Sequence, residues 1–552
     1  MKLQGINVKQ EFIEKVTELL GKEHVVTSPE EIEVRSRDTV PGRVQPLAFI
    51  YPGSTAEVSE IVKFANEFQI AIWPHSTGRN WGWGNSPLTE DSVTMILERM
   101  NKIIEVNEGL AYAVIEPGVT YEALNKYLKD HKIKLWTDCT GGPPKGSVLG
   151  NALDRGVGVT SYADHFSNLC GLEVVLPDGK IIRTGGYPAS MNGTRYTYKW
   201  GAGPYVEGLF GQSNIGIVTH AGMWLMPEPE SYFMFGFTMQ REDKGQYISL
   251  LNTLRKLVFD GIVPPSIHIT SGFTLLTVLT QMFKEDVKGN YLTDEDMRRL
   301  DKKYGVGAWG FASGLYCRKE QVKAMRKIID RELRPYGRVV WADEYKITIV
   351  KKMLPYLLRA GKAENPLMKM VLNLLLRKIS IPVIQAVPQM FDIYKGVPTE
   401  YVLKRAYFKT RKERPESNIH VAKDQVGVMW FGPMVPNDGE TVFEVMDCFR
   451  KKFAQYQFEF YITIMQISAR TIVPFMGIFY RQEDASERDR AIAFYGELIE
   501  ECLRRGYQQF RYSRLGWSSV YKNSPGLLEV NNKIKAALDP NHIIAPGKFD
   551  IF

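Results

Sequence analysis

Residues 74–85 read Pro74-His-Ser-Thr-Gly-Arg-Asn-Trp-Gly-Trp-Gly-Asn85, three glycines among small polar residues directly after the short apolar run Ala71-Ile-Trp73. Glycine reaches positive φ and has no Cβ, so successive N–H groups can converge on an anion. Gly78, Gly82 and Gly84 therefore predict a loop that wraps phosphate. The segment before it predicts a helix, opened by a capping box of Ser54 and Glu57 and carrying the apolar face Val58, Ile61, Val62 and Phe68. A strand over Ala71–Trp73, stopped by Pro74, follows. Helix, strand and loop in that order are not the strand, loop and helix of a dinucleotide fingerprint. Neither GxGxxG opening a helix nor GxxxxGK[ST] occurs, which argues against nicotinamide or nucleoside-triphosphate binding. A phosphate held here would be held by backbone N–H groups rather than by a helix terminus.

Further segments share this character. Glu116-Pro-Gly-Val-Thr-Tyr121 joins the strand AYAVI to the amphipathic helix YEALNKYLKDHK, and Gly141 to Asn151 followed by Arg155-Gly-Val-Gly158 is a second glycine-dense region. Pro177-Asp-Gly179 between Leu172–Leu176 and Lys180–Thr184 reads as a hairpin turn. Pro204 to Val218 is again rich in glycine. Each segment alone is compatible with a plain turn; together they point to an extended ligand lying across many loops.

The chain has 552 residues, 44% hydrophobic and 24% charged, enough for two or three cores. Its formal net charge of +8 is modest and its Lys and Arg are interspersed with acids, so a nucleic-acid surface is not expected. Cys139, Cys170, Cys317, Cys448 and Cys502 form no CxxC pair, which gives neither a metal site nor a disulfide framework and suits a reducing compartment. The opening MKLQGINVKQEFIEKV lacks a signal core, and no apolar run approaches the roughly 18 residues of a membrane span. A cytoplasmic location is the expectation.

The glycine loop, "VIEPGVTY", "GSVLGNALDRGVGVTSYADHF", "GLEVVLPDGKIIRTGG", "GLFGQSNIGIVTHAGMWLMPEP" and "ALDPNHIIAPGK" together resemble the vanillyl-alcohol oxidase and p-cresol methylhydroxylase (PCMH) family of flavoproteins. The match is strongest over about residues 45–230 and 500–548. It implies an α+β fold with a two-subdomain FAD-binding domain of the PCMH type over 1–228 (core about 42–228). A cap with a large antiparallel sheet and helices would cover 229–498, and a return segment, 499–552, would complete the FAD domain. The resemblance places FAD against Ser76, Thr77, Gly78, Arg79, Asn80, Trp81, Gly82, Pro117, Gly118, Gly150, Asn151, Gly156, Asp164, Gly216, Ile217, Val218 and Lys548.

In this family a hydride passes from a substrate C–H, usually benzylic and para to a phenol, to the flavin, while a tyrosine pair and an arginine stabilise the phenolate. By resemblance Asp164 is the catalytic acid/base and Arg511 the anion or oxygen anchor. The two tyrosines are replaced by Trp83 and Phe510, which with Trp430 are expected to line the substrate pocket, and Val473-Pro474 stands where the family's histidine pair would align. Each charge-assisted hydrogen bond to a buried anion is worth roughly 1.5–3 kcal/mol, so losing both hydroxyls weakens the case for a phenolate. Arg511 then acts alone, meets a substrate carboxylate with its guanidinium fork, or contacts flavin or the protein's own carboxylates. An alcohol that needs no anion site, walled by Trp83 and Phe510, is the other reading.

Many relatives tether FAD through a cap histidine, and the matching position here is Val428, so noncovalent binding is expected, with His75, His420 and Tyr407 as the conceivable nucleophiles. Oxygen or a redox protein would take the electrons. The basic apolar segments 351–360 and 365–378 suit packing within a homo-oligomer or peripheral contact with a membrane. Three alternatives stay open: an ether-lipid synthase-like transferase using FAD without net oxidation, a 4-alkylphenol oxidase or hydroxylase with a retuned pocket, and a flavin-binding protein whose activity has decayed.

Overall fold

The computed structural model describes residues 2–186, 193–201, 203–287, 289–362 and 381–552. The Ser54 hydroxyl accepts the Glu57 N–H at 3.2 Å and starts the helix Thr55–Phe68, but the Glu57 carboxylate reaches the Gly53 N–H rather than that of Ser54, so the expected box is offset by one residue. The strand after it runs through the proline, over Ala71–His75. It lies at the edge of a four-stranded sheet in the order Val25–Val26, Ala48–Ile50, Ser92–Ile96, Ala71–His75, and a missing N–H is tolerated on an edge strand.

A second sheet of five antiparallel strands follows, in the order Ile103–Asn107, Tyr112–Ile115, Ile217–Trp224, Leu169–Val175, Ile181–Arg183. Its last pair is the hairpin foreseen around Pro177-Asp-Gly179. Helices Tyr121–Asp130 and Val148–Leu153 cover this sheet, each opened by a hydroxyl cap, Thr120 and Ser147. The C-terminal return closes the first subdomain: Ile72 donates to Ile543 O at 2.7 Å and Ala545 to Ile72 O at 2.9 Å. Buried Lys535 braces that return through Asn214 O, Ile544 O and Asp539.

Between these parts stands an eight-stranded antiparallel sheet. Its order is Arg338–Ala342, Ser231–Met239, Trp309–Cys317, His268–Ser271, Tyr461–Gln466, Thr471–Arg481, Val426–Phe431, with Val435–Pro436 added on Thr471–Arg481. Side chains alternate between faces of a strand, and here the alternation sorts core from site. Ile269, Met429, Phe431, Ile462, Ile464, Met476 and Ile478 enter a core shared with the helices Lys244–Phe259, Val322–Leu333, Gly439–Gln455 and Ala485–Arg504. Their neighbours His268, Trp430, Thr463, Met465 and Phe475 face the glycine loop across a cleft. Leu503 still belongs to the cap core, so cap packing continues past the expected boundary at 498.

Segment 351–360 falls in the helix Glu344–Lys362, which exposes Tyr345, Ile349, Met353 and Tyr356. Segment 365–378 lies outside the described residues. No helix among the described residues is long and apolar enough to cross a membrane.

Candidate active site

A cavity of about 430 Å³ runs between the glycine loop, the second sheet's loops and the cap sheet. Ser76, Thr77, Gly78, Arg79, Asn80 and Trp81 line it, and none of their N–H groups finds a protein acceptor among the described residues. Gly78 turns the chain at φ +62°. Opposite stands Gly150, where a Cβ would lie 1.9 Å from Ser76 Oγ, so only glycine lets the helix Val148–Leu153 approach the loop. Arg79 and Lys548 add positive charge; burial lowers the pKa of each, most directly offset by Glu98 for Arg79 and by Asp154 for Lys548. Unmet N–H groups on a glycine turn, flanked by two cations, fit a diphosphate. Pro117, Asn151, Gly156, Gly216, Ile217 and Val218 line the same cavity, as anticipated.

Three residues expected at the cofactor do not face it. Gly82 packs on the cap: its N–H donates to Thr39 Oγ1 at 2.6 Å, its carbonyl accepts the Trp430 N–H at 2.9 Å, and a Cβ there would stand 2.2 Å from the Trp430 ring. Gly118 is pressed against backbone, its added Cβ 2.5 Å from Glu98 O. Asp164 is exposed, outside the cavity, and its carboxylate accepts the Ser167 N–H and hydroxyl within the turn Phe166–Asn168. Its acid/base role is thereby corrected: the carboxylate is spent on a local turn away from the cleft.

The buried group at this place is its neighbour, His165, which bridges Asn151 Oδ1 at 2.7 Å and Asp138 Oδ2 at 3.0 Å, with the Tyr121 hydroxyl at 3.2 Å. Asp138 also accepts the N–H groups of Val159 and Thr160. The network braces the turn that carries Gly156.

At the substrate end, Phe510 donates to Gly432 O at 2.8 Å and Arg514 to Trp83 O at 3.2 Å, so the return segment is tied to both cap and glycine loop. Between those ties lies Arg511. Its Cζ stands 5.8 Å from the Trp83 ring and 5.7 Å from the Phe510 ring. One Nη is 3.4 Å from Asp154 Oδ2, while Nε and the other Nη are buried without a partner. Trp83, Phe475 and Trp430 continue the wall, with ring centroids 5.9 and 5.0 Å apart.

Sequence reading missed His268, Arg405, Thr463, Met465 and Phe475, which all line this end. The available signal was weak: two charged residues, Lys404 and Arg405, inside the otherwise apolar run YVLKRAYF, and period-two strands whose two faces are both occupied. Of the conceivable nucleophiles only His75 borders the cleft; Tyr407 donates to Asp424, and His420 faces a smaller cavity of about 100 Å³ behind the glycine loop. Val428 is fully buried against Trp83 and Trp430. Among the described residues no His, Cys, Asp and Glu group could hold a metal ion.

A loop of unmet N–H groups thus faces an apolar cap pocket whose guanidinium, Arg511, is only partly paired, an arrangement that suits a flavin-dependent oxidoreductase. Residues 46–185 match the FAD binding domain family. The chain is 31% identical over 538 residues, 97% of its own length and 96% of the relative's, to the 1'-carboxy-chondrochloren decarboxylase of Chondromyces crocatus. It is 28% identical to the 4-cresol dehydrogenase [hydroxylating] flavoprotein subunit of Pseudomonas putida, across 98% of this chain and 95% of that one. The crystal structure of p-cresol methylhydroxylase with substrate bound superimposes with a TM-score of 0.84 at 26% identity, covering 99% of this chain and 97% of the other. The chain belongs to the PCMH-type family of FAD-linked oxidoreductases.

Proposed function

We propose that the enzyme removes a hydride from an alcohol or benzylic-type C–H carbon of a small, largely apolar substrate and passes the electrons to oxygen or to a protein acceptor. FAD, once bound, supplies the hydride acceptor. The observation that carries the reading is Arg511, whose Nε and one Nη are buried without partners beside Trp83 and Phe510. A buried donor left unmet costs roughly 1–3 kcal/mol, so the site is built to receive an oxygen, and a charged one best. Trp83 and Phe510 contribute walls in place of two hydroxyls, which leaves Arg511 as the principal stabiliser of negative charge at this end of the pocket. The relatives' names include both a carboxy compound and a cresol, and either kind of oxygen suits a guanidinium fork.

Buried Val428 at the tether position supports noncovalent FAD. The division into 1–228, a cap and a C-terminal return is retained, with the cap extended to about Arg504 by its packing. A cytoplasmic homo-oligomer remains part of the proposal, with the exposed apolar residues of Glu344–Lys362 as a surface for self-association or membrane contact.

Anaerobic mixing of the yellow protein with para-alkylphenols, aryl alcohols, aliphatic alcohols and aryl acids, while flavin absorbance is followed, tests the reading. Bleaching by one class, lost in Arg511→Met, is the expected result. Absence of bleaching by every class, together with turnover of an ester to an ether, would sink it.

A further inference from the structure

Arg405 borders the same cavity as Arg511 and is reached from it through a series of aromatic contacts. It lies in the turn Tyr401–Tyr407, where Nε donates to Val402 O at 2.6 Å and Nη1 to the Tyr461 hydroxyl at 2.7 Å. Those two bonds fix the plane of the guanidinium. Its remaining Nη2 is turned toward Gly141, where a Cβ would stand 3.6 Å away, and Gly141 and Arg405 border the same cavity. The wall runs from Arg511 over Trp83, Phe475 and Trp430 to Tyr461, whose ring is 5.6 Å from Trp430, and so to Arg405. Trp83, Phe475 and Trp430 line the cavity that both guanidiniums border, and Tyr461, fully buried, links Trp430 to Arg405 from outside it.

Two neutral groups, His268 and Thr463, border the cavity with Arg405, while the Asp138 carboxylate acts on His268 in the opposite sense to Arg405. Burial, and then the charge of Arg405, lower the His268 pKa to about 4, so its imidazole is uncharged at neutral pH. Thr463 Oγ1, from the neighbouring strand, is buried without a partner. Along the whole cavity the described residues present four cations, Arg79, Arg405, Arg511 and Lys548, against one carboxylate, Asp154. A bound FAD diphosphate answers two of the four, and Arg79 and Lys548 flank the loop that would hold it. Positive charge is left over at the substrate end, where half-buried Arg405 has one Nη free of the two bonds that hold it, and an anion there would gain a charge-assisted hydrogen bond.

We infer that Arg405 binds a carboxylate of the substrate, and that the substrate class is an arylalkanoic acid. Its ring lies along Trp83, Phe475 and Trp430, a ring oxygen meets Arg511, and the carboxylate meets Arg405 with Thr463 as an additional donor. Tyr461 is a positioning residue for Arg405. The inference rests on the proposed function for the redox step, but not for binding.

The test uses the FAD-loaded full chain without oxygen and two probes, 3-(4-hydroxyphenyl)propanoate and its methyl ester. Binding is read as quenching of tryptophan fluorescence, and flavin bleaching is recorded separately. The acid should bind at least about 10-fold tighter than the ester, and Arg405→Gln should weaken the acid by about 10- to 100-fold while leaving the ester within about 2-fold. Arg405→Lys should keep part of the preference, and it carries the test alone if the Gln variant does not load FAD. A wild-type protein without preference for the acid, an unchanged acid-to-ester ratio in both variants, or equal weakening of both probes at normal FAD content would overturn the inference. Acid bound through Arg405 without bleaching supports it while failing the redox reading for that acid. Bleaching by the ester with no preference for the acid keeps the redox reading and sinks this one.

Discussion

Gly82 and Trp430 interlock: the Trp430 N–H donates to the Gly82 carbonyl at 2.9 Å, and the indole occupies the space a Cβ on Gly82 would need. The glycine loop is thereby joined to the cap at the boundary between cofactor and substrate. Gly82 also sits at φ +77°. Gly82→Ala meets left-handed strain of roughly 1 kcal/mol and overpacking of roughly 1–3 kcal/mol. The expected outcome is a lower thermal midpoint and reduced FAD content after purification, with Trp430 displaced; an unchanged midpoint and full flavin loading would show that the indole moves aside freely.

Arg511→Lys keeps the charge but loses the fork and the stacking on Trp83 and Phe510. With one or two charge-assisted bonds lost at roughly 1.5–3 kcal/mol each, the anaerobic rate of flavin reduction by the best substrate should fall by at least about 10-fold. Arg511→Met should fall further. Equal rates in wild type and both variants would remove Arg511 from the chemistry.

How far the sequence could be read differs between the two ends of the cleft. Turn chemistry is local, so the loop at Gly78 and the hairpin at Pro177-Asp-Gly179 were legible from their own neighbours, while FAD and the place of Gly150 against it came from the family resemblance. The substrate end is assembled from His268, Arg405, Trp430, Thr463 and Arg511, which are far apart in sequence and meet only because the cap strands present alternate residues to one face. No local pattern marks which face is core, since both faces of Val426–Phe431 and Tyr461–Gln466 are largely buried. The same limit misplaced Asp164: a carboxylate in a glycine-rich motif reads alike whether it faces a flavin or holds a turn, and the Ser167 contacts decide for the turn.

Asp164→Asn therefore tests that correction. The amide retains one acceptor for the Ser167 N–H, so flavin reduction should stay within about 3-fold of wild type and stability should drop by roughly 1 kcal/mol or less, as for a weakened local hydrogen bond. A loss of 100-fold or more in the reduction rate at normal FAD content would return the carboxylate to the reacting atoms.

The pair Trp83→Tyr and Phe510→Tyr places two hydroxyls beside Arg511, where Trp83 is now 7% exposed and its ring centroid lies 5.8 Å from the guanidinium carbon. If para-substituted phenols bind as phenolates there, each new hydrogen bond should tighten them, by about 10-fold or more for the double variant, seen as a fall in the phenol concentration that half-saturates flavin bleaching. Unchanged phenol response in a folded, flavin-loaded double variant would count against placing the substrate oxygen at Arg511.

His268 links the pocket to pH. Its folded pKa of about 4, set by burial and by Arg405 against a partial offset from the Asp138 carboxylate, lies below the ordinary 6.5. Between those values the unfolded chain takes up a proton that the folded chain does not, so stability falls as pH drops from 6.5 toward 4. His75 and His420 are lowered to about 4 as well, each chiefly by burial, and act in the same direction. His268→Gln removes one of the three groups while keeping a polar side chain beside Ser266, so its thermal midpoint should decline less steeply across that window than wild type. The anchor inferred at Arg405 adds a second readout: a carboxylate ligand placed beside His268 raises the imidazole pKa, so a saturating aryl acid should protect the wild-type midpoint more at pH 5 than at pH 8. The ester should not show this difference, and neither should the His268→Gln variant with the acid.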